Sequence, residues 1–171
     1  AGYTDDRIIL IVEDDIADNV SNPNKGVIQV TIGGNNVYEN VEIDYRMSSL
    51  KAKDILAILN GEKSESLPTV IESTENDNLF VFWSGHGVPG AMCWDEEPYA
   101  MTGDDLSTVF KDMNLKRRYR KLLMMVEACF SGGVMEQCEG IPGMLFITAA
   151  NGDETSKADV FNGEMKVWMS N

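Results

Sequence analysis

The chain of 171 residues carries 14 basic and 28 acidic side chains, a net charge of −14 that repels nucleic-acid backbones and anionic lipid surfaces. This length and 43% hydrophobic content suit one domain with a sizeable core, and apolar runs of five or six residues are too short to span a bilayer. Three cysteines, Cys93, Cys129 and Cys138, lack CxxC spacing, so neither a disulfide framework nor a zinc site is suggested.

No basic-then-apolar leader opens the chain, so a soluble protein is expected, with export and compartment left open. The first predicted element is a buried strand, Arg7 to Val12, running into the acidic loop Glu13 to Asn19. Its carboxylates miss the EF-hand spacing and read as a solvated loop. Ser21 to Gly26 is turn chemistry. Val27 to Ile32 alternates enough for a short strand before Gly33-Gly34-Asn35-Asn36, which predicts a peripheral hairpin. From Ser48 to Gly61, apolar residues at three- and four-residue spacing predict an amphipathic helix.

A polar connection, Glu62 to Asp77, leads to a second buried strand, Asn78 to Trp83, which ends in Ser84-Gly85-His86-Gly87. Val88 to Met101 reads as a long loop suited to lining a cleft. Thr102 caps a predicted helix over Gly103 to Met113, with Asp104 and Asp105 in its first turn. Lys116, Arg117, Arg118, Arg120 and Lys121 form the one basic cluster, read as a solvated end. A third buried strand, centred on Leu122 to Val126, stops at Cys129. Ser131 to Gln137 then begins a helix aimed at the thiol, and Gly143 to Ala150 is a fourth buried strand. Strands separated by helices or long crossovers predict an α/β fold with a mainly parallel sheet flanked by helices.

In such sheets reacting groups collect beyond the carboxyl ends of the strands. Cys129 and His86, the one histidine of the chain, both occupy that position with glycines nearby, which makes them a candidate nucleophile and base. A helix starting at Ser131 is expected to lower the thiol pKa and help hold an oxyanion. Taken singly, each residue also has a structural reading, a small buried thiol or a core imidazole.

At these residues the chain resembles the legumain family of caspase-fold cysteine endopeptidases, which includes the catalytic subunit of the glycosylphosphatidylinositol transamidase. The likeness rests on an ordered series: Glu13-Asp14-Asp15-Ile16-Ala17, Asn22-Pro23, Gly26-Val27-Ile28, Val37-Tyr38, Asp44-Tyr45, Asp77-Asn78 through His86-Gly87, Tyr119-Arg120-Lys121, Glu127-Ala128-Cys129 and Thr148-Ala149-Ala150-Asn151. It implies a three-layer caspase-like peptidase domain over residues 1–171, lacking the family's N-terminal strand and helix. That segment carries an Asn that orients the histidine and an Arg of the specificity pocket.

The resemblance further implies peptide-bond hydrolysis with Cys129 as nucleophile and His86 as general base or proton donor. The backbone N–H groups of Gly87 and Cys129 would hold the oxyanion, and Glu127 and Ser156 would line the pocket for the residue preceding the cleaved bond. Glu127 also has a plainer reading, a strand-end carboxylate satisfied by a neighbour. No metal or cofactor is implied. The expected partners are peptide or protein substrates and the protein's own terminal segments, since an end at Asn171 fits self-cleavage after asparagine. Gly85 stands where legumain has an aspartate, so chemistry attributed to that aspartate is not carried over; Val167 precedes Trp168 where legumain has an acidic residue, so with Glu127 kept an uncharged or a basic side chain is expected in the pocket. Two alternatives share the fold: a transamidase, in which an amine replaces water at the thioester, and a catalytically silent binding domain.

Overall fold

The computed structural model describes residues 3–94 and 100–157. The chain divides into two compact units that meet in sequence at Leu50 and Lys51.

In the first unit, the strand expected from Arg7 shrinks to β1, Ile11–Val12, paired in parallel with β2, Tyr45–Arg46. The reason lies in where the backbone groups go. Arg7 and Ile8 donate back into a 3-10 turn at Asp5–Arg7, and the Leu10 amide is taken by the Asp44 side chain at 2.9 Å. The predicted hairpin over 27–36 does not form. Asn36 Oδ1 instead accepts from the amides of Ile28 and Tyr38, while Asn22 Nδ2 donates to the carbonyls of Ile16, Ala17 and Val27. Side-chain amides thus replace a strand ladder here. The acidic loop is also less solvated than expected. Asp14 accepts from Tyr38 Oη at 2.6 Å and Arg46 Nη2 at 2.8 Å, and Glu13 accepts from the amide and hydroxyl of Ser48 at 2.7 and 2.8 Å. The Asp14 hydrogen bond raises the Tyr38 pKa above its ordinary value.

The second unit opens with α1, Ala52–Asn60, later than predicted because Met47–Ser49 forms a 3-10 turn just before it. Asp54 accepts from the Lys51 amide at its start, and Gly61 ends it in the left-handed region at φ 71°. The main sheet has the order β3-β7-β8 and is wholly parallel: β3 is Asn78–Ser84, β7 is Lys121–Glu127 and β8 is Met144–Thr148. Between β3 and β7, the stretch expected as one long loop contains an antiparallel sheet of β4, Gly87–Val88, β5, Ala91–Cys93, and β6, Ala100–Thr102. Gly90, at φ +79°, makes the turn between β4 and β5. Two helices follow the pattern predicted for them: α2, Gly103–Leu115, with Thr102 and Asp105 in a reciprocal capping box, and α3, Ser131–Glu136. The result is the α/β, caspase-like architecture expected, with a mainly parallel sheet flanked by helices.

Leu122, Met124 and Val126 of β7 are buried together with Leu106, Phe110 and Met113 of α2, and the Phe110 ring lies 6.2 Å from that of Phe146 on β8. On the opposite pleat, Phe80, Phe82, Leu145 and Ile147 are exposed, so β3 and β8 are half-buried on one face and exposed on the other, not buried on both. No helix among the described residues is long and apolar enough to cross a membrane. The expectations that fall on residues Ala1, Val167, Trp168 and Asn171 lie outside the described residues.

Phe110 is 0% exposed, and truncating so large a core side chain costs about 3–5 kcal/mol. Phe110→Ala is expected to lower the unfolding free energy by that amount, read as a lower urea midpoint at unchanged slope; a loss under about 1 kcal/mol would show that the site collapses freely. A second prediction concerns acid. The hydrogen bond from Lys116, with another from Asn60 of α1, holds the Asp112 carboxyl below its ordinary pKa. A depressed folded-state pKa supplies stability above the unfolded value and loses it as pH falls through the folded one. The stability gap between the wild type and Asp112→Asn is therefore expected to narrow on acidification in parallel urea titrations. A gap that widens would contradict the assignment.

Candidate active site

Parallel pairing carries β3 and β7 to their carboxyl ends in register, the last pair being Ser84 and Glu127. The Gly85 amide extends the ladder by donating to the Glu127 carbonyl at 3.0 Å. His86 and Cys129 each follow that last pair by two residues, so both leave the sheet at the same rim. The two turns touch. A Cβ added to Gly87 would sit 2.0 Å from the Cys129 carbonyl oxygen and 3.3 Å from the Ala128 Cβ, an approach only glycine allows.

His86 is exposed, and its imidazole makes no hydrogen bond or ion pair among the described residues. Cys129 is half-buried, with Sγ 4.0 Å from the Ser156 carbonyl oxygen. The Cys93 amide donates to the His86 carbonyl at 2.9 Å, which makes Gly87 and Met92 the non-hydrogen-bonded pair of the β4–β5 ladder. The Gly87 N–H is thus left out of that ladder, and the Cys129 N–H makes no backbone hydrogen bond among the described residues. Two fixed donors beside a thiol can stabilise a developing oxyanion.

Cys129 belongs to a turn, not to a helix start. Phe130 adopts the left-handed region at φ 56°, and α3 spans only the six residues after it. The amides expected to face the thiol are already taken, Gly132 donating to the Ala150 carbonyl at 3.0 Å and Gly133 to that of Phe130 at 3.1 Å. The expectation that this helix start would hold an anion is corrected on that ground. The two glycines instead permit close packing: a Cβ on Gly132 would lie 3.0 Å from the Ala150 carbonyl, and one on Gly133 would lie 3.2 Å from the Gly152 Cα.

Glu127 and Ser156 are brought together. The Ser156 hydroxyl, on a residue 7% exposed, donates to Glu127 Oε1 at 3.0 Å. They lie in the wall of an open cavity of about 500 Å³, completed by Ala149, Glu154, Thr155 and Lys157. Glu154 and Lys157 escaped the sequence reading, which ended its fourth strand at Ala150 and gave them no role. The available signal was an Asn with a Glu three residues on, since Glu154 Oε1 accepts from the Asn151 amide and side chain at 3.1 and 2.9 Å. The remaining thiol outside this region, Cys138, is buried, and burial pushes its pKa up to about 11.

A family model described as the Peptidase C13 family matches residues 1–171. Legumain of Rattus norvegicus is 30% identical over 172 residues, covering 98% of this chain and 39% of its own. A vacuolar-processing enzyme of Vicia sativa is 35% identical, covering 91% of this chain and 32% of its own, and the hemoglobinase of Schistosoma mansoni is 35% identical over 91% and 36%. The chain thus spans between 32% and 39% of the length of these relatives. With a family model matched from end to end and the ordered motifs in place on a mainly parallel sheet, the chain belongs to the Peptidase C13 family, the legumain family.

Proposed function

We propose that the chain carries the Cys–His centre of a cysteine endopeptidase. The observation that supports this reading most is the in-register exit of β3 and β7, with Gly87 against the Cys129 carbonyl. In the proposed reaction His86 takes the Cys129 thiol proton as Sγ attacks the scissile carbonyl carbon. The carbonyl π electrons move to oxygen, where the amides of Gly87 and Cys129 receive the charge. Collapse of this intermediate breaks the C–N bond, and His86 returns the proton to the leaving amine, leaving a thioester on Cys129. Water, deprotonated by His86, then attacks the thioester and releases the carboxylate product and the thiol. No step calls for a metal or cofactor.

The cavity beside Glu127 takes the side chain preceding the cleaved bond. Ser156 fixes one carboxylate oxygen of Glu127 and leaves the other to meet a donor on the substrate. Peptides and unfolded protein segments are the substrate class, and the same chemistry applied to the protein's own chain gives self-processing that depends on Cys129. The exposed imidazole, without a partner among the described residues, favours a second reading, a silent domain on the same fold.

Labelling by a peptidyl electrophilic ketone separates the two. The intact protein is expected to label, and Cys129→Ala and His86→Ala to lose labelling while circular dichroism stays unchanged. Absence of labelling across a panel of side chains would favour the silent domain. Ser156→Ala tests the pocket: freeing the Glu127 carboxylate is expected to lower kcat/KM about tenfold, mostly through KM, while a small alkylating reagent still reaches Cys129. A fall confined to kcat would remove Ser156 from the pocket.

A further inference from the structure

The loop over 149–157 does more than wall the cavity. The Glu154 carbonyl accepts from the Phe130 amide at 2.9 Å, one residue beyond the nucleophile. The Ala150 carbonyl accepts from the Gly132 amide at 3.0 Å, and the Ser131 hydroxyl, on a residue 0% exposed, lies 3.4 Å from both the carbonyl and the amide of Ala150. Gly152 packs on Gly133, where a Cβ on Gly152 would lie 3.0 Å from the Gly133 Cα. The thiol turn and the pocket wall are therefore one hydrogen-bonded body.

One residue, Glu154, contributes to it twice. Glu154 Oε1 accepts both from the amide and from Nδ2 of Asn151, a fork that fixes the loop's bend. The same residue supplies the carbonyl that holds Phe130. A bulky residue in the left-handed region is disfavoured, and at φ 56° Phe130 relies on such external bonds to stay there. If the fork opens, the Glu154 carbonyl drifts, Phe130 relaxes, and both the Cys129 N–H and its Sγ lose their placement.

We infer that Glu154 is a positioning residue of the proposed peptidase centre, locking the pocket wall to the nucleophile turn through Asn151 and Phe130. The inference rests on the peptidase reading for its catalytic consequence, though the lock itself does not. Its effect reaches the reacting atoms through Phe130 and Cys129, and it reaches the substrate through the wall that Glu154 shares with Ser156.

The test compares the full chain with Glu154→Ala and Glu154→Gln by amide hydrogen exchange and by peptide turnover normalised to titrated Cys129. Glu154→Ala is expected to speed exchange at the amides of Phe130 and Gly132 at least tenfold, while the amides of β7 keep wild-type rates. In turnover it is expected to raise KM severalfold and to slow alkylation of Cys129 by a small reagent. Glu154→Gln keeps an acceptor oxygen for Asn151 and is expected to recover most of each loss. Unchanged exchange in Glu154→Ala overturns the lock. Faster exchange with KM and alkylation unchanged overturns the positioning role, and a Gln variant as impaired as Ala shows charge, not the fork, at work and overturns it too. If the wild type turns over no peptide and does not label, the peptidase reading and the positioning role fall together, and the exchange rates still decide the lock.

Discussion

The rim at which Cys129 and His86 emerge exists because β3 and β7 run in parallel register to Ser84 and Glu127 and then part at a contact that tolerates no side chain. A parallel pair delivers residues of equal offset side by side, so register alone brings an imidazole and a thiol to one edge. A slip of one residue would turn one of them to the other face of the sheet. Gly87 then sets how closely the two turns approach, because any Cβ there meets the Cys129 carbonyl oxygen. The burial of Leu122, Met124 and Val126 specifies that register energetically, since a slip would turn the opposite pleat of β7 into the core. The core thus fixes the site without contributing an atom to it.

Register explains the rim but not the shape of the Cys129 turn, which departs from the sheet at Phe130. Here the constraint passes from strand pairing to a loop far along the chain, held by the bonds to Ala150 and Glu154. Two kinds of order therefore meet at Cys129: apolar packing, which is insensitive to pH and salt, and a polar clamp near the surface. Segments held in the second way belong to the less stable part of a native structure.

The apolar runs and their spacing show the sheet plainly: β3, β7 and β8 fall on the three predicted stretches nearest the site, and α2 carries its cap and periodicity as written. The positions of Cys129 and His86 beyond strand ends were legible for the same reason. What was not legible depends on partners distant in sequence. Arg7 to Leu10 has the composition of a strand, yet its backbone groups find a turn and the Asp44 carboxylate first. Val27 to Ile32 alternates, but Asn22 and Asn36 claim the backbone that a hairpin would need. The β4–β6 sheet was hidden by its very short strands, and Glu154 by a role that appears only when its loop meets Phe130.

On the peptidase reading, the make-up of the cavity bears on what it selects. Its lining residues include two acids, Glu127 and Glu154, and one base, Lys157, a balance that by charge alone favours a cationic side chain. Each carboxylate, however, already has one oxygen engaged, by Ser156 or by Asn151. The cavity is also open, and in bulk water two unit charges 4 Å apart interact by only about 1 kcal/mol before salt weakens them further. Leaving a donor or acceptor unpaired on closure costs about 1–3 kcal/mol. The second effect is the larger, so the side chain best held is the one that completes the hydrogen bonds left open on Glu127, and its charge is the lesser criterion.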